Sequence, residues 1–331
     1  MDATPANALP KEFLERLSAI VPDDRLHRVL AAFNNDRKTT FRVNTLKIKT
    51  VDALRTIGKL GFMISIIDWQ ENAFVLENKT LRELTDTGLY KEGCIYVQSL
   101  SSMLPPLILD PKPGERVLDI TAAPGSKTTQ MATLMENKGE ILANDASHVR
   151  LYRLKANIAL QGATIVRVTN DDARAIWQKY PEYFDKTLVD VPCSMEGRFQ
   201  ANDPKSFSDW SVKKVRELSR AQKWMLRSAI SATKPGGTIV YSTCTLSPEE
   251  NESVIDWIVK KEKGVVTVDT LVLPHFTFDP VLSQWDGTVF DPSVARTGRV
   301  FPSSLMEGFF VAKLTKSAST LPSAMRGENT L

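Results

Sequence analysis

The chain has 331 residues, 42% of them hydrophobic and 24% charged, with a formal net charge of +3. This length suits two domains or one large domain with an appendage, and the composition excludes disorder on a large scale. So small a charge neither requires nor forbids a polyanionic partner held by a local basic face.

In chain order, Met1-Asp2-Ala3-Thr4-Pro5 lacks the basic and apolar regions of a signal peptide, and no stretch approaches about 18 consecutive apolar residues. A cytoplasmic protein without membrane association is expected. From Glu12 to Phe33, apolar residues at near-helical spacing are interrupted at Pro22-Asp23-Asp24, which predicts two helices with a capped restart at the aspartates. Thr40 to Leu46 alternates like a strand, a helix follows from about Val51 to Leu60, and Phe62 to Ile67 reads as another strand. Residues 1–100 are thus expected to form a small α+β unit, joined to the rest by a linker near Val97 to Pro106.

From Leu118 onward strands and helices alternate, the pattern of a parallel α/β sheet. The expected strands are Arg116 to Ile120, Glu140 to Ala143, Thr164 to Val168, Lys186 to Val189 and Thr238 to Tyr241. A helix carrying Val215, Leu218, Gln222, Met225 and Ala229 precedes Pro235-Gly236-Gly237. Its lysines and arginines, Lys213, Lys214, Arg216, Arg220, Lys223 and Arg227, read as a solvated face rather than an RNA contact. Ser247-Pro248-Glu249-Glu250 has the spacing of a capping box, and a helix through Ile255 and Ile258 is expected after it. Gly308 to Leu314 reads as a last strand, and residues 317–331 as a flexible tail.

Three cysteines, Cys94, Cys193 and Cys244, are too few and too scattered for a disulfide framework, and no pair has zinc-knuckle spacing. His27, His148 and His275 lie far apart, so no metal is expected, and free thiols suit a reducing compartment. Cys193 and Cys244 each follow a short apolar, β-branched run. Both therefore stand where a parallel sheet delivers side chains to a ligand crevice. Two thiols at strand ends point to covalent chemistry on an electron-poor substrate rather than to packing alone.

The turn Thr121-Ala122-Ala123-Pro124-Gly125-Ser126-Lys127 follows the first of these strands. It has neither the three glycines of a dinucleotide fingerprint nor the spacing of a phosphate loop. What remains is a helix N-terminus whose free N–H groups can hold a carboxylate, such as the amino-acid end of S-adenosylmethionine. Asp145, after the second strand, is placed to accept from ribose hydroxyls. Asp172, after the third, is placed to accept from an adenine amino group.

These residues resemble a family. The turn TAAPGSKTT, the motif DVPCS, the motif YSTCTLSPEENE and the ending RVFPSSLMEGFFVAKL are together similar to the NOL1/NOP2/Sun (RsmB/RsmF-like) RNA cytosine-5 methyltransferases. The similarity covers roughly Tyr96 to Lys316, and Phe41 to Leu46 looks like the family's N-terminal signature. It implies a Rossmann-like methyltransferase sheet with a small N-terminal α+β domain, in residues 101–316 and 1–100 respectively. It implies S-adenosylmethionine at Thr121 to Lys127, Asp145, Asp172 and Asp190, with Cys244 as nucleophile and Cys193 assisting release. Thr121, Ser126 and Met195 depart from the family's usual Cys, Gly and Gly, which puts the pocket's shape in doubt but removes no catalytic group.

The implied product is 5-methylcytosine in ribosomal or transfer RNA, made by a monomer, with residues 1–100 and a basic face recognising the RNA. Thiolate addition at carbon 6 of cytosine makes carbon 5 nucleophilic. Asp190 is assigned to bonding or protonating ring nitrogen 3, and a donor role requires its pKa to rise towards neutrality. Lys127 either orients Asp190 or lies on an exposed helix surface. Arg42, Asn44 and Arg299 are candidate phosphate contacts or structural hydrogen bonders. The competing functions are an RNA-binding assembly factor with little turnover and a small-molecule or protein methyltransferase; the latter leaves the thiols unexplained.

Overall fold

A computed structural model of the chain describes residues 9–321. Its first elements are α1 (Lys11–Ile20), α2 (Asp23–Asn34), β1 (Thr40–Val43), α3 (Thr50–Lys59), β2 (Ile64–Ile66), β3 (Ala73–Leu76), α4 (Leu81–Thr85), α5 (Gly88–Lys91), β4 (Ile95–Val97) and α6 (Leu100–Leu109). The break between α1 and α2 falls as expected, but no side chain caps α2. Pro22 precedes it, and Asp23 and Asp24 occupy its first turn, where the helix dipole favours negative charge. The strands form an antiparallel sheet of order β2-β3-β1-β4 around Phe41, Val43, Phe74, Leu76 and Ile95. Helices α1 and α2 pack elsewhere: Phe13, Leu17, Val29 and Phe33 bury themselves against Phe199, Leu246 and Phe301.

No linker runs through residues 97–106. The segment is α6, buried through Leu100, Met103, Leu104, Ile108 and Leu109, although Pro105 and Pro106 lie inside it. Proline normally disrupts a helix because it lacks an N–H for the carbonyl one turn back. Here the Ser102 carbonyl, which Pro106 cannot serve, accepts from Gln98 Nε2 at 3.1 Å. Burial of the apolar face then outweighs the local cost.

The larger part continues with β5 (Arg116–Asp119), α7 (Ser126–Leu134), β6 (Glu140–Asn144), α8 (His148–Gln161), β7 (Val166–Thr169), β8 (Phe184–Asp190), α9 (Val212–Ala232), β9 (Thr233–Thr243), α10 (Glu252–Lys261) and β10 (Val266–Asp269). It ends with β11 (Gln284–Trp285), β12 (Thr288–Val289), β13 (Gly298–Val300) and β14 (Phe309–Lys316). The main sheet has the order β10-β14-β9-β8-β5-β6-β7, with β13 alongside β14. Strands β7, β6, β5, β8 and β9 are parallel, and β14 inserts antiparallel between β9 and β10. This is the Rossmann-like α/β sheet the sequence implied. The direction of winding reverses between β5 and β8, so the carboxyl ends of those strands open the crevice where such sheets bind ligands.

The capping box at Ser247 does not form. Helix α10 starts only at Glu252, after Asn251, with no side-chain cap. Ser247 and Glu250 instead turn inward to partners on other loops, described below. Residues 317–321 pack back on the sheet through Ser317 N to the Val265 carbonyl at 2.7 Å and Thr320 N to Glu182. The rest of the expected tail, 322–331, lies outside the described residues.

Candidate active site

Strands β5, β8 and β9 end side by side, and the loops that follow them wall a cavity of about 600 Å³. That volume falls within the usual small-ligand range of about 300–1,000 Å³. Its lining includes Thr121, Ala122, Ala123, Pro124, Ser126 and Lys127 from the turn after β5, and Asp190 and Cys193 after β8. Cys244, directly after β9, completes the wall. The two sulfurs are 3.3 Å apart, and both cysteines are free and half-buried. Cys94 packs instead against the core of the N-terminal sheet.

The cofactor turn is built for close approach. Gly125 has φ +107°, a backbone conformation that strains any residue with a Cβ. Helix α7 begins directly after it with no side-chain cap and no acid in its first turn. Its N–H groups are therefore available to an anionic ligand group, which fits the carboxylate of S-adenosylmethionine. Asp119, fully buried at the end of β5, accepts from Thr128 Oγ1 at 2.7 Å, and burial pushes its carboxyl up to about 7.

Lys127 is buried rather than on the helix surface, and its Nζ lies 2.7 Å from Asp190 Oδ2 and 2.7 Å from Ser102 Oγ. Ser242 Oγ donates to the other oxygen of Asp190 at 2.8 Å. Both neighbours are placed to donate, so the Asp190 carboxylate accepts from each. Cys193 is the opposite case: its contact with Cys244 and burial push its thiol well above the ordinary range.

Of the two remaining acids, Asp145 is buried and accepts from Ala123 N at 3.2 Å and Ser147 N at 2.9 Å. It fastens the cofactor turn to the end of β6 and reaches the cavity wall through Arg150, 3.4 Å away. Asp172 is absent from the lining. Arg174 grips its carboxylate with Nε and Nη2 at 2.6–3.1 Å on the surface, and that bond lowers its pKa. Asp172 thus stands after β7 as an exposed carboxylate paired with Arg174.

The three candidate phosphate contacts are structural. Arg42, 2% exposed, gives Nε to Gln98 Oε1 and Nη2 to Thr129 Oγ1 and the Ser126 carbonyl, while its buried Nη1 finds no partner among the described residues. Asn44 holds the carbonyls of Gly93 and Gln161. Arg299 forms a two-pronged pair with Glu252, both fully buried. Sequence reasoning missed the residues at the mouth. Arg198 faces the thiols, paired to Glu307 at 3.2 Å, and Arg37 lies close by, donating to the Gly197 carbonyl at 3.0 Å. The buried Arg37 Nε finds no hydrogen-bond partner among the described residues. Met195, also at the mouth, has φ +57° and an exposed side chain, a strained conformation for a residue other than glycine.

No cluster of three or more His, Cys, Asp or Glu among the described residues is arranged to hold a metal ion. No helix among them is long and apolar enough to cross a membrane.

Residues 106–315 match the family model for the 16S rRNA methyltransferase RsmB/F, and residues 9–100 match that for the N-terminal domain of 16S rRNA methyltransferase RsmF. The chain is 38% identical over 310 residues to a tRNA (cytosine(49)-C(5))-methyltransferase of Pyrococcus abyssi, covering 92% of this chain and 96% of the relative. It is also 38% identical over 325 residues to a ribosomal RNA small subunit methyltransferase F of Pectobacterium carotovorum, covering 96% of this chain but 65% of that protein. The chain thus spans about two thirds of that relative's length. A solved methyltransferase homologue from Pyrococcus horikoshii superposes with a TM-score of 0.77 at 32% identity, covering 93% of this chain and all of the other. Fold, cavity and sequence likeness agree, and the chain belongs to the RsmB/F methyltransferase family.

Proposed function

We propose that the protein is an S-adenosylmethionine-dependent RNA methyltransferase that forms 5-methylcytosine in ribosomal or transfer RNA. The observation that carries this reading is the pair of sulfurs 3.3 Å apart on the wall of a cavity shared with the turn 121–127. When bound, S-adenosylmethionine supplies an electrophilic methyl group. The uncapped start of α7 would hold its carboxylate, and the Asp145–Arg150 pair would border its ribose.

The chain's own residues do the rest. A target cytosine has to leave its stack to reach the sulfurs. Cys244, directly after β9, loses its proton to solvent and its sulfur adds to carbon 6, an attack that does not depend on the Cys193 thiol 3.3 Å away. Asp190 bonds the ring at nitrogen 3, and Lys127 can pass a proton to it across their 2.7 Å ion pair. After transfer, water takes the carbon 5 proton, the C5–C6 double bond re-forms and the bond from carbon 6 to the Cys244 sulfur breaks, with the Cys193 thiol donating to the departing sulfur. Free thiols in catalysis suit a reducing, cytoplasmic setting, and the protein is read as a monomer.

The test is transfer of tritiated methyl groups to total RNA, followed by bisulfite sequencing of the labelled fraction. Label in one cytosine of ribosomal or transfer RNA supports the reading and separates the two substrates. RNA binding without label would favour an assembly factor. Label in protein or small molecules alone would overturn the reading.

Arg198 is the residue expected to meet the RNA backbone, being half exposed at the mouth. Arg198→Ala is expected to raise KM for RNA roughly 3–10-fold and to reduce the salt dependence of binding by about one ion. Steady-state kinetics at several ionic strengths checks this, and an unchanged salt slope would remove Arg198 from the contact surface.

A further inference from the structure

Each cysteine of the site is followed by a hydroxyl residue, and the two hydroxyls meet: Ser194 Oγ and Thr245 Oγ1 are 2.7 Å apart. Beyond each lies a buried carboxyl that belongs to the other cysteine's loop. Glu250, from the segment after Cys244, takes Ser194 N at 3.0 Å and Gln222 Nε2 at 2.7 Å, and touches Ser194 Oγ. Gln222 also holds the Pro192 carbonyl at 2.9 Å. Glu196, from the loop after Cys193, takes Trp210 Nε1 and Ser247 Oγ at 2.8 Å on one oxygen. Its other oxygen takes Thr245 Oγ1 at 3.0 Å and Leu246 N at 3.2 Å.

Hydrogen counting fixes the protonation of this chain. Glu250, Ser194, Thr245 and Glu196 are joined by three oxygen–oxygen contacts, but the two hydroxyls carry only two hydrogens. The third must sit on a carboxyl. Glu196 has four donors aimed at it, the surroundings of an ionised carboxylate. Glu250 is therefore the acid, consistent with burial pushing its carboxyl up to about 8.

We propose that Glu196 and Glu250 are positioning residues that share one proton through Ser194 and Thr245, and that this clasp holds the two cysteine loops in the register release requires. Neither carboxyl is among the residues lining the cavity, so each acts through the loops it ties. A loosened clasp separates Cys193 from the adduct on Cys244. Attack then persists while release fails, which a purely structural role does not predict.

The inference rests on the proposed methyltransferase chemistry, and the experiment separates the two. Single-turnover reactions with tritiated methyl donor and the RNA labelled by the wild-type protein are run on denaturing gels, which reveal covalent protein–RNA species. Glu250→Ala and Ser194→Ala are expected to slow release on the order of 10²-fold and to accumulate a covalent band. Glu250→Gln is expected to restore release relative to Glu250→Ala, because a carboxamide is neutral and its NH₂ replaces the acid's donor. Glu196→Gln is expected to accumulate the band, because its NH₂ faces two of the four converging donors. Thermal melts identify any variant that fails to fold, and Ser194→Ala, the smallest change, keeps the test open if Glu250→Ala is one of them. Wild-type release in Ser194→Ala, or a Glu250→Gln as impaired as Glu250→Ala, overturns the clasp. Absence of both label and adduct with the wild-type protein overturns the methyltransferase reading instead.

Discussion

Cys244→Ala is expected to abolish methyl transfer, by on the order of 10⁴-fold or more, without any covalent RNA complex. Cys193→Ala is expected to stop turnover at the other side of the intermediate and to accumulate a stable protein–RNA adduct. The two outcomes differ because the sulfurs, though 3.3 Å apart, are held unequally. The contact with Cys244, together with burial, pushes the Cys193 thiol well above its ordinary range. We assign attack on carbon 6 to Cys244, beside which the Cys193 thiol is a weak donor across the 3.3 Å contact. Denaturing gels with labelled RNA read both results. An adduct that persists in Cys244→Ala would reverse the two roles.

The second large effect is on stability. Arg299→Met removes a guanidinium that makes two bonds of 2.6 Å to Glu252 and one of 2.7 Å to the Leu246 carbonyl. Both members of the ion pair are fully buried. The orphaned Glu252 charge would lie in a low-dielectric interior, and breaking such a pair typically costs about 3–5 kcal/mol. Arg299→Met should therefore lower unfolding stability by that order, and the double variant with Glu252→Leu should lose less, because no charge is then stranded. Chemical denaturation measures both. RNA affinity of the folded fraction should be unaffected. A stable Arg299→Met protein with weakened RNA binding would return Arg299 to the contact surface.

Arg299 also shows why charge is hard to place from sequence. An arginine near a surface motif reads equally well as a phosphate ligand or as a buried partner. The choice depends on Glu252, 47 positions away in the chain, which β13 and α10 bring within reach. Arg42 follows the same logic: β1 lies against α7, so its donors meet Thr129 and the Ser126 carbonyl before they can meet RNA. Glu250 is the converse. Its spacing from Ser247 satisfies a local helix-capping rule, yet the unpaired N–H of Ser194 and the amide of Gln222 claim its carboxyl first. A cap is worth about 1 kcal/mol at an exposed helix end. Leaving a buried N–H unsatisfied costs more, so the tertiary partner wins. The helix that begins at Leu100 was obscured by Pro105 and Pro106; the bond that Pro106 cannot make is supplied by Gln98 from outside the helix.

What the chain's order of residues determined by itself was the α/β sheet, the position of the turn 121–127 at the end of β5 and the placement of both thiols at strand ends. Hydrophobic periodicity and glycine's access to positive φ are local properties, and parallel strands deliver their carboxyl ends to one crevice whatever surrounds them. Only the tertiary structure decided which acids and bases pair and which are buried. It buried Arg42, Asn44 and Arg299, paired Asp172 with Arg174 on the surface, and joined Lys127 to Asp190. It also brought Glu196 and Glu250 together behind the cysteines. The reason is that hydrogen bonds and ion pairs act over about 3 Å, so their partners are set by which loops the sheet brings together and not by separation along the chain.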